Sequence, residues 1–253
     1  MHQARTYRQG LQRRLPAFRV VVEQTDLWVQ ADRPLAAAAR ESVLHHRHQL
    51  ENFIRRFPGF AGSMVPWPLE GPAPPIVRRM CAAANRARVG PMAAVAGAMA
   101  AAVGEDLLGQ CREVVVENGG DVFIRNREPM VVALYAGGSP LSMRVGLQFA
   151  AVADPFGVCT SSGTVGHSRS LGAADAVCVV APCCALADAA ATAIGNHVRR
   201  AGDIPAGIAL GMAMGGLDGI VIIVGERMGV WGKLQVVPLP GKKGLSFKGK
   251  KSR

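Results

Sequence analysis

The chain has 253 residues, 49% of them hydrophobic and only 5% aromatic, enough to bury one large core packed through small side chains rather than rings. The net charge of +11 is concentrated partly in Lys242, Lys243, Lys248, Lys250, Lys251 and Arg253, so residues 241–253 are expected to form a disordered basic tail, and no aromatic-interleaved basic face supports specific nucleic-acid binding. The N-terminus carries Arg5, Arg8, Arg13 and Arg14 among polar residues and does not develop the apolar run of a secretory signal, and the longest apolar run, Pro91 to Gly104, falls short of the roughly 18 residues of a membrane span, so a cytoplasmic protein with no membrane partner is expected.

In chain order, Phe18–Ala31 has two Val- and Trp-bearing runs around Gln24-Thr25-Asp26 and is expected to open the fold as a hairpin. Pro34 starts a helix running to about Phe57, with Leu44, Phe53 and Ile54 inward, and Pro58-Gly59 stops it. His45, His46 and His48 on that helix lack a carboxylate or Cys at helical spacing and read as a solvated face. The Pro-rich stretch Ser63–Pro75 is a surface connection and the best candidate for an internal boundary within residues 1–240, otherwise one domain. Two Ala-rich helices follow, Ile76–Arg88 and Met92–Leu108, the second apolar nearly all round and therefore central.

Beyond Arg112 the pattern turns to short β runs: Glu113–Val116, Val122–Ile124, Met130–Tyr135 and Met143–Phe149, suggesting a meander. Ala176–Val180 is a further strand, Leu186–Arg199 and Pro205–Met214 are helical, and Gly219–Val224 with Lys233–Val237 forms a final strand pair. The expected class is α+β, with mixed β-sheets covered by Ala-rich helices. The six cysteines lack zinc spacing and read as buried thiols in a reducing compartment. Nothing in the sequence fixes the oligomeric state, and a homo-oligomer is compatible with it.

Three polar clusters interrupt this apolar chain. Glu117-Asn118-Gly119-Gly120-Asp121 follows a strand; its glycines permit positive φ and close backbone approach, which suits either a ligand or an ordinary hairpin turn. Thr160-Ser161-Ser162-Gly163-Thr164, continuing through Gly166, His167 and Ser168, is dense in hydroxyls and amides that can bind phosphate oxygens, with His167 the candidate proton-transfer residue. Asp188 and Thr192 stand four residues apart on one helical face, a spacing that suits a hard cation such as Mg²⁺; an Asp in a first helical turn also stabilises the helix dipole without any metal.

The stretches VGPMAAVAGAMA (residues 89–100), VENGGDVFI (116–124), CTSSGTVGHSRSLGAADAV (159–177) and LADAAATAIGN (186–196), with TDLWV (25–29) and MGVWGKL (228–234), resemble an uncharacterised family of ApbE-like proteins. That family is in turn similar to the ApbE FAD:protein FMN transferases. The resemblance implies an ApbE-like fold, a flavin nucleotide near Asn118-Gly119-Gly120-Asp121 and the Thr160-Ser161-Ser162-Gly163 turn, and Mg²⁺ on Asp188 and Thr192. Two segments of the transferases have no match: an insert with a His and a DPxTG-like motif after the turn, and a flavin-clamping N-terminal segment. The functions implied are a Mg²⁺-dependent flavin or nucleotidyl transferase or hydrolase acting on a phosphate-bearing small molecule, with FAD or FMN as the analogue, or a non-catalytic protein binding such a ligand.

Overall fold

A computed structural model describes residues 15–163 and 172–240; the basic tail 241–253 lies outside them. The order of elements is β1 (Ala17–Val22), β2 (Thr25–Ala31), α1 (Ala36–Arg56), α2 (Gly59–Gly62), α3 (Pro75–Ala87), α4 (Val95–Leu108), β3 (Val114–Asn118), β4 (Asp121–Arg125), β5 (Met130–Ala133), β6 (Val145–Phe149), β7 (Phe156–Ser161), β8 (Ala176–Ala181), α5 (Cys184–His197), α6 (Ile204–Met214), β9 (Gly219–Val224), β10 (Arg227–Gly232) and β11 (Gln235–Pro238). An α+β architecture results. Eight strands form one sheet in the order β1-β2-β3-β4-β7-β8-β9-β10, and β11-β6-β5 form a second. Every pairing in both sheets is antiparallel.

The large sheet separates two cores. Alternation along its strands sends Val114, Val116, Phe123, Cys159, Val177, Val179, Ile220 and Ile222 toward the helices, while Ile124, Phe156, Val158, Cys178, Val180, Val221 and Ile223 face the three-stranded sheet. This is the period of two expected of strands buried on both faces. α4 lies on β3 and β4, α5 lies on β7 and β8, and the two helices pack against each other. Small residues set these distances. A Cβ on Gly104 would stand 2.1 Å from the Phe123 ring, and one on Gly157 would stand 2.4 Å from the Cys184 backbone.

The helix Pro91–Leu108, a short 3₁₀ turn continued by α4, is long and apolar enough to cross a membrane. It is instead a core helix, with Gly97 to Gly104 buried without interruption. Residues on either side of the Pro-rich connection, Phe60 before it and Ile76 after it, enter the same core.

Several expectations are corrected. Phe53 is buried and Ile54 partly so, as expected, but Leu44 is 45% exposed; α1 buries Ala39, Val43 and Leu50 as well. β5 and β6 leave the meander for the second sheet. The partner of β9 is Arg227–Gly232, not Lys233–Val237, whose residues 235–237 pair with β6. Phe156–Ser161, for which the sequence predicts no strand and whose last residues open the hydroxyl-rich cluster, is a central strand between β4 and β8, because a ladder on both sides satisfies its backbone whatever its glycine and hydroxyls prefer.

Candidate functional site

The first cluster is a tight hairpin that is also part of a cleft. Asn118 pairs with Asp121, leaving Gly119-Gly120 as a two-residue loop, with Gly119 at φ +74° as the first loop position of a type II′ turn requires. Gly120 has a second constraint. Its carbonyl accepts the Thr160 amide at 2.9 Å, and a Cβ there would stand 2.4 Å from the Thr160 oxygen, so the loop lies directly against the end of β7. The Asn118 side-chain amide donates to the Ala96 carbonyl at 3.2 Å, which ties the hairpin to the start of α4.

α5 brings the third cluster to the same place. A Cβ on Gly97 would meet the Cys184 carbonyl at 2.5 Å and the Asp188 Cβ at 2.8 Å, so α4 and α5 touch backbone to backbone at this point. The Gly97 amide donates to Asp188 Oδ2 at 2.8 Å. Because α5 begins at Cys184, Asp188 lies in its second turn rather than its first. Its carboxylate therefore serves the N-terminus of a different helix, α4, whose first-turn amides have no intrahelical acceptor.

The strand and the helix advance together. Cys159 Sγ lies 3.5 Å from Cys184 Sγ. From that contact Asp188 is about one helical turn (5.4 Å) along α5, and Ser161 is about 6.6 Å along β7 on the same face. The partly buried residues of α5 are Asp188, Thr192 and Asn196, and every other residue of the helix before its exposed last residue, His197, is buried. They form an i, i+4, i+8 stripe on an otherwise enclosed helix. Asn196 was not singled out from the sequence, although its spacing from Thr192 in an Ala-rich helix was visible there. The Gly97 amide could not have been found, because its role depends on a contact between elements distant in sequence.

The candidate residues thus divide by face. Asn118, Gly119, Gly120, Asp121 and Asp188 meet where α4 begins; Ser161 shares the helix-facing side of β7 with Cys159, Thr192 lies one turn beyond Asp188 on α5, and Ser162 and Gly163 continue from β7 at the same end of the sheet. Glu117 and Thr160 alternate to the opposite face; Glu117 is 6% exposed, and Thr160 shares a hydrogen bond with the Cys178 thiol. Thr164, Gly166, His167 and Ser168 lie outside the described residues. The chain on either side of them is anchored beside α5: Gly163 N–H donates to the Ala174 carbonyl, and Ala173 N–H donates to the Val198 carbonyl, both at 2.9 Å.

Two carboxylates, Asp121 and Asp188, influence each other at this point. Burial pushes the Asp188 carboxyl well above its ordinary range, the nearby Asp121 charge raises it further, and the Gly97 and Ala96 amides only partly oppose these effects. Asp121 is itself buried. The folded chain therefore holds a proton on Asp188 that the unfolded chain releases. The stability this contributes is present below the ordinary carboxylate value of about 4 and is lost as pH rises through the elevated folded value. Urea midpoints of the metal-free protein are expected to fall over that interval, and the part of the slope due to Asp188 should vanish in Asp188→Asn.

The donor set is hard. Among the described residues no three His, Cys, Asp or Glu side chains form a metal-binding group. Two carboxylates, a helical hydroxyl and backbone carbonyls fit a cation that keeps part of its water shell, as Mg²⁺ does. The neighbouring thiols are poor ligands. Burial raises Cys159 well above its usual range, as does its hydrogen bond with Cys184; Cys178 is pushed up to about 12 by burial. All six cysteines are free, and Cys183 alone is exposed, contrary to the expectation that all are buried. A thiol reagent should therefore label one cysteine rapidly in the native protein, and Cys183→Ser should remove that phase.

Comparison with known proteins gives the chain a family and its fold solved neighbours. Residues 8–209 match a family model described as AbpE bacteria. A UPF0280 protein of Methanocella arvoryzae is 39% identical over 214 residues, covering 84% of this chain and 87% of its own length. A UPF0280 protein of Methanocaldococcus jannaschii is 39% identical over 222 residues, covering 85% and 90%. Among solved structures, the flavinyl transferase ApbE of Pseudomonas stutzeri in its apo form superposes with a TM-score of 0.58 at 16% identity, covering 88% of this chain and 96% of that one. A variant of the flavin transferase ApbE from Vibrio cholerae gives 0.53 at 11% identity, covering 85% and 96%. At these identities the structures show a shared fold.

Proposed function

Since the chain belongs to the AbpE bacteria family, we propose that its cleft is a Mg²⁺-assisted site for a phosphate-bearing ligand, a flavin or another nucleotide, and that it supports phosphoryl or nucleotidyl transfer or hydrolysis. The observation that carries this reading is the meeting of Asp121 and Asp188 at the start of α4, next to a Gly-Gly loop. Two carboxylates close enough for one to raise the other, beside a loop whose backbone can approach a ligand closely, are the kind of oxygen donors that a hard cation takes.

Asp188, Thr192 and Asp121 would hold the ion. When bound, it neutralises phosphate charge and acts as a Lewis acid toward the phosphoryl oxygens. The Gly119-Gly120 backbone and the Ser161 hydroxyl bind and orient the remaining oxygens, and Asn118 fixes the loop against α4. His167 is the candidate for holding or moving the proton.

The test is to incubate the protein with FAD and Mg²⁺ and to separate the nucleotides chromatographically. Accumulation of AMP and FMN, lost with Asp188→Ala, supports transferase or hydrolase chemistry. Recovery of bound, unaltered ligand supports a binding protein. Neither turnover nor retention of FAD, ADP or AMP would contradict a phosphate site.

A further inference from the structure

Away from the cleft, α6 has an unusual composition for its position. Its eleven residues, IPAGIALGMAM, include no polar side chain, yet only Ile204, Gly207 and Gly211 are buried. It packs on β9 and β10. β10 is the last strand of the large sheet, and among the described residues no strand pairs with its outer edge. A shallow groove between helix and strand is lined by Ile204, Pro205, Ile208 and residues 227–230, and Met212, Met228 and Val230 are 49%, 39% and 39% exposed. An apolar helix beside a free edge strand is a surface that monomers avoid.

We propose that this surface is the interface of a homodimer in which β10 pairs with its own copy about a two-fold axis through Gly229. A two-fold antiparallel pair must place a residue opposite itself, and Gly229 is the favourable centre. A Cβ there would stand 2.2 Å from Ile204, so glycine keeps α6 close to the edge. The register then sets Met228 against Val230 of the other copy on one face, and Arg227 over Trp231 on the other, an apolar pair and a cation on an indole. A centre at Val230 would instead oppose Arg227 and Lys233.

The dimensions agree. With strands about 4.8 Å apart and α6 over the β9/β10 gap, the two copies of α6 would lie roughly 10 Å apart, at the upper end of helix packing distances. An overall charge of +11 disfavours self-association elsewhere on the molecule, whereas this patch has Arg227 as its only charge. An isologous contact of this kind closes at two copies.

Sedimentation velocity of the full chain tests this, with Met212→Arg and Val230→Arg as separate variants, both at exposed positions where the fold should survive. The wild type is expected at twice the chain mass at low micromolar concentration and each variant at the chain mass, with unchanged circular dichroism. As a second measurement, Met228→Cys/Val230→Cys in a Cys183→Ser background, at two exposed positions that the register sets opposite each other, should cross-link to a covalent dimer on mild oxidation by a disulfide reagent. A wild type that is monomeric at 100-fold higher concentration, or a dimer that survives both arginine variants, overturns the proposal. So does a monomer that pellets with anionic vesicles through this patch, which would assign the surface to lipid.

Discussion

Asp188→Ala is expected to abolish the Mg²⁺-dependent part of the stabilisation given by ADP or FAD, about 2.7 kcal/mol for the wild type at a hundred times the Kd. The same change removes a structural contact, since Asp188 accepts the Gly97 amide at 2.8 Å, and loss of a helix-terminal acceptor costs about 1 kcal/mol. Asp188→Asn separates the two roles. It keeps a carbonyl oxygen for the Gly97 amide while removing the charge that burial and Asp121 disfavour, so the metal-free Asn variant should be at least as stable as the wild type at neutral pH. It should nonetheless show no Mg²⁺-dependent shift. Thermal denaturation of the three proteins with and without Mg²⁺ and nucleotide makes the comparison. A Mg²⁺-dependent shift retained in both variants would mean that the ion binds elsewhere.

Gly97→Val is expected to have the largest effect on stability, on the order of 3 kcal/mol or more. The atoms a Cβ would meet are the Cys184 carbonyl at 2.5 Å and its carbon at 3.0 Å, which are backbone and cannot swing aside. Relief requires α5 to move away from α4, and that movement carries Asp188 and Thr192 with it. Ligand binding should therefore weaken along with stability. Gly97→Ala should cost about 1–3 kcal/mol, because its gain in helix propensity offsets only part of the overlap. Gly62→Ala is the control, as nothing lies within 4 Å of a Cβ there. Chemical denaturation midpoints give the stability arm, and calorimetric titration with nucleotide gives the binding arm. A Gly97→Val protein as stable as the wild type would contradict the close helix contact.

Much of the fold could be read locally. The opening hairpin, the Ala-rich central helix and the strands around Val116, Ile124 and Val179 follow from apolar runs bounded by Gly, Pro and Asn, because those residues form the same element whatever packs against them. β7 and β10 could not be read in this way. FGVCTS and RMGVWG contain glycines that local propensity assigns to turns, and only the neighbouring strands make them part of a sheet. The site was legible as residues but not as geometry. The Asn118-Gly119-Gly120-Asp121 loop and the Asp188, Thr192 spacing stand out in the sequence. That Glu117 and Thr160 point to the other face follows only from the strand boundaries, since one residue of offset reverses every side chain. The service Asp188 gives to α4 rather than to its own helix depends on a contact across 91 residues, which no local pattern encodes.

The central claim is that Asp121, Asp188 and Thr192 form one cation site. Crystals grown with Mn²⁺ and ADP, measured near the manganese absorption edge, locate the ion without assuming an activity. The account predicts a single strong anomalous peak with ligand oxygens of Asp121, Asp188 and Thr192 at roughly 2.0–2.3 Å and a phosphate oxygen completing the shell. Density for the nucleotide with no peak between these residues, or a peak bound by other side chains, would contradict it.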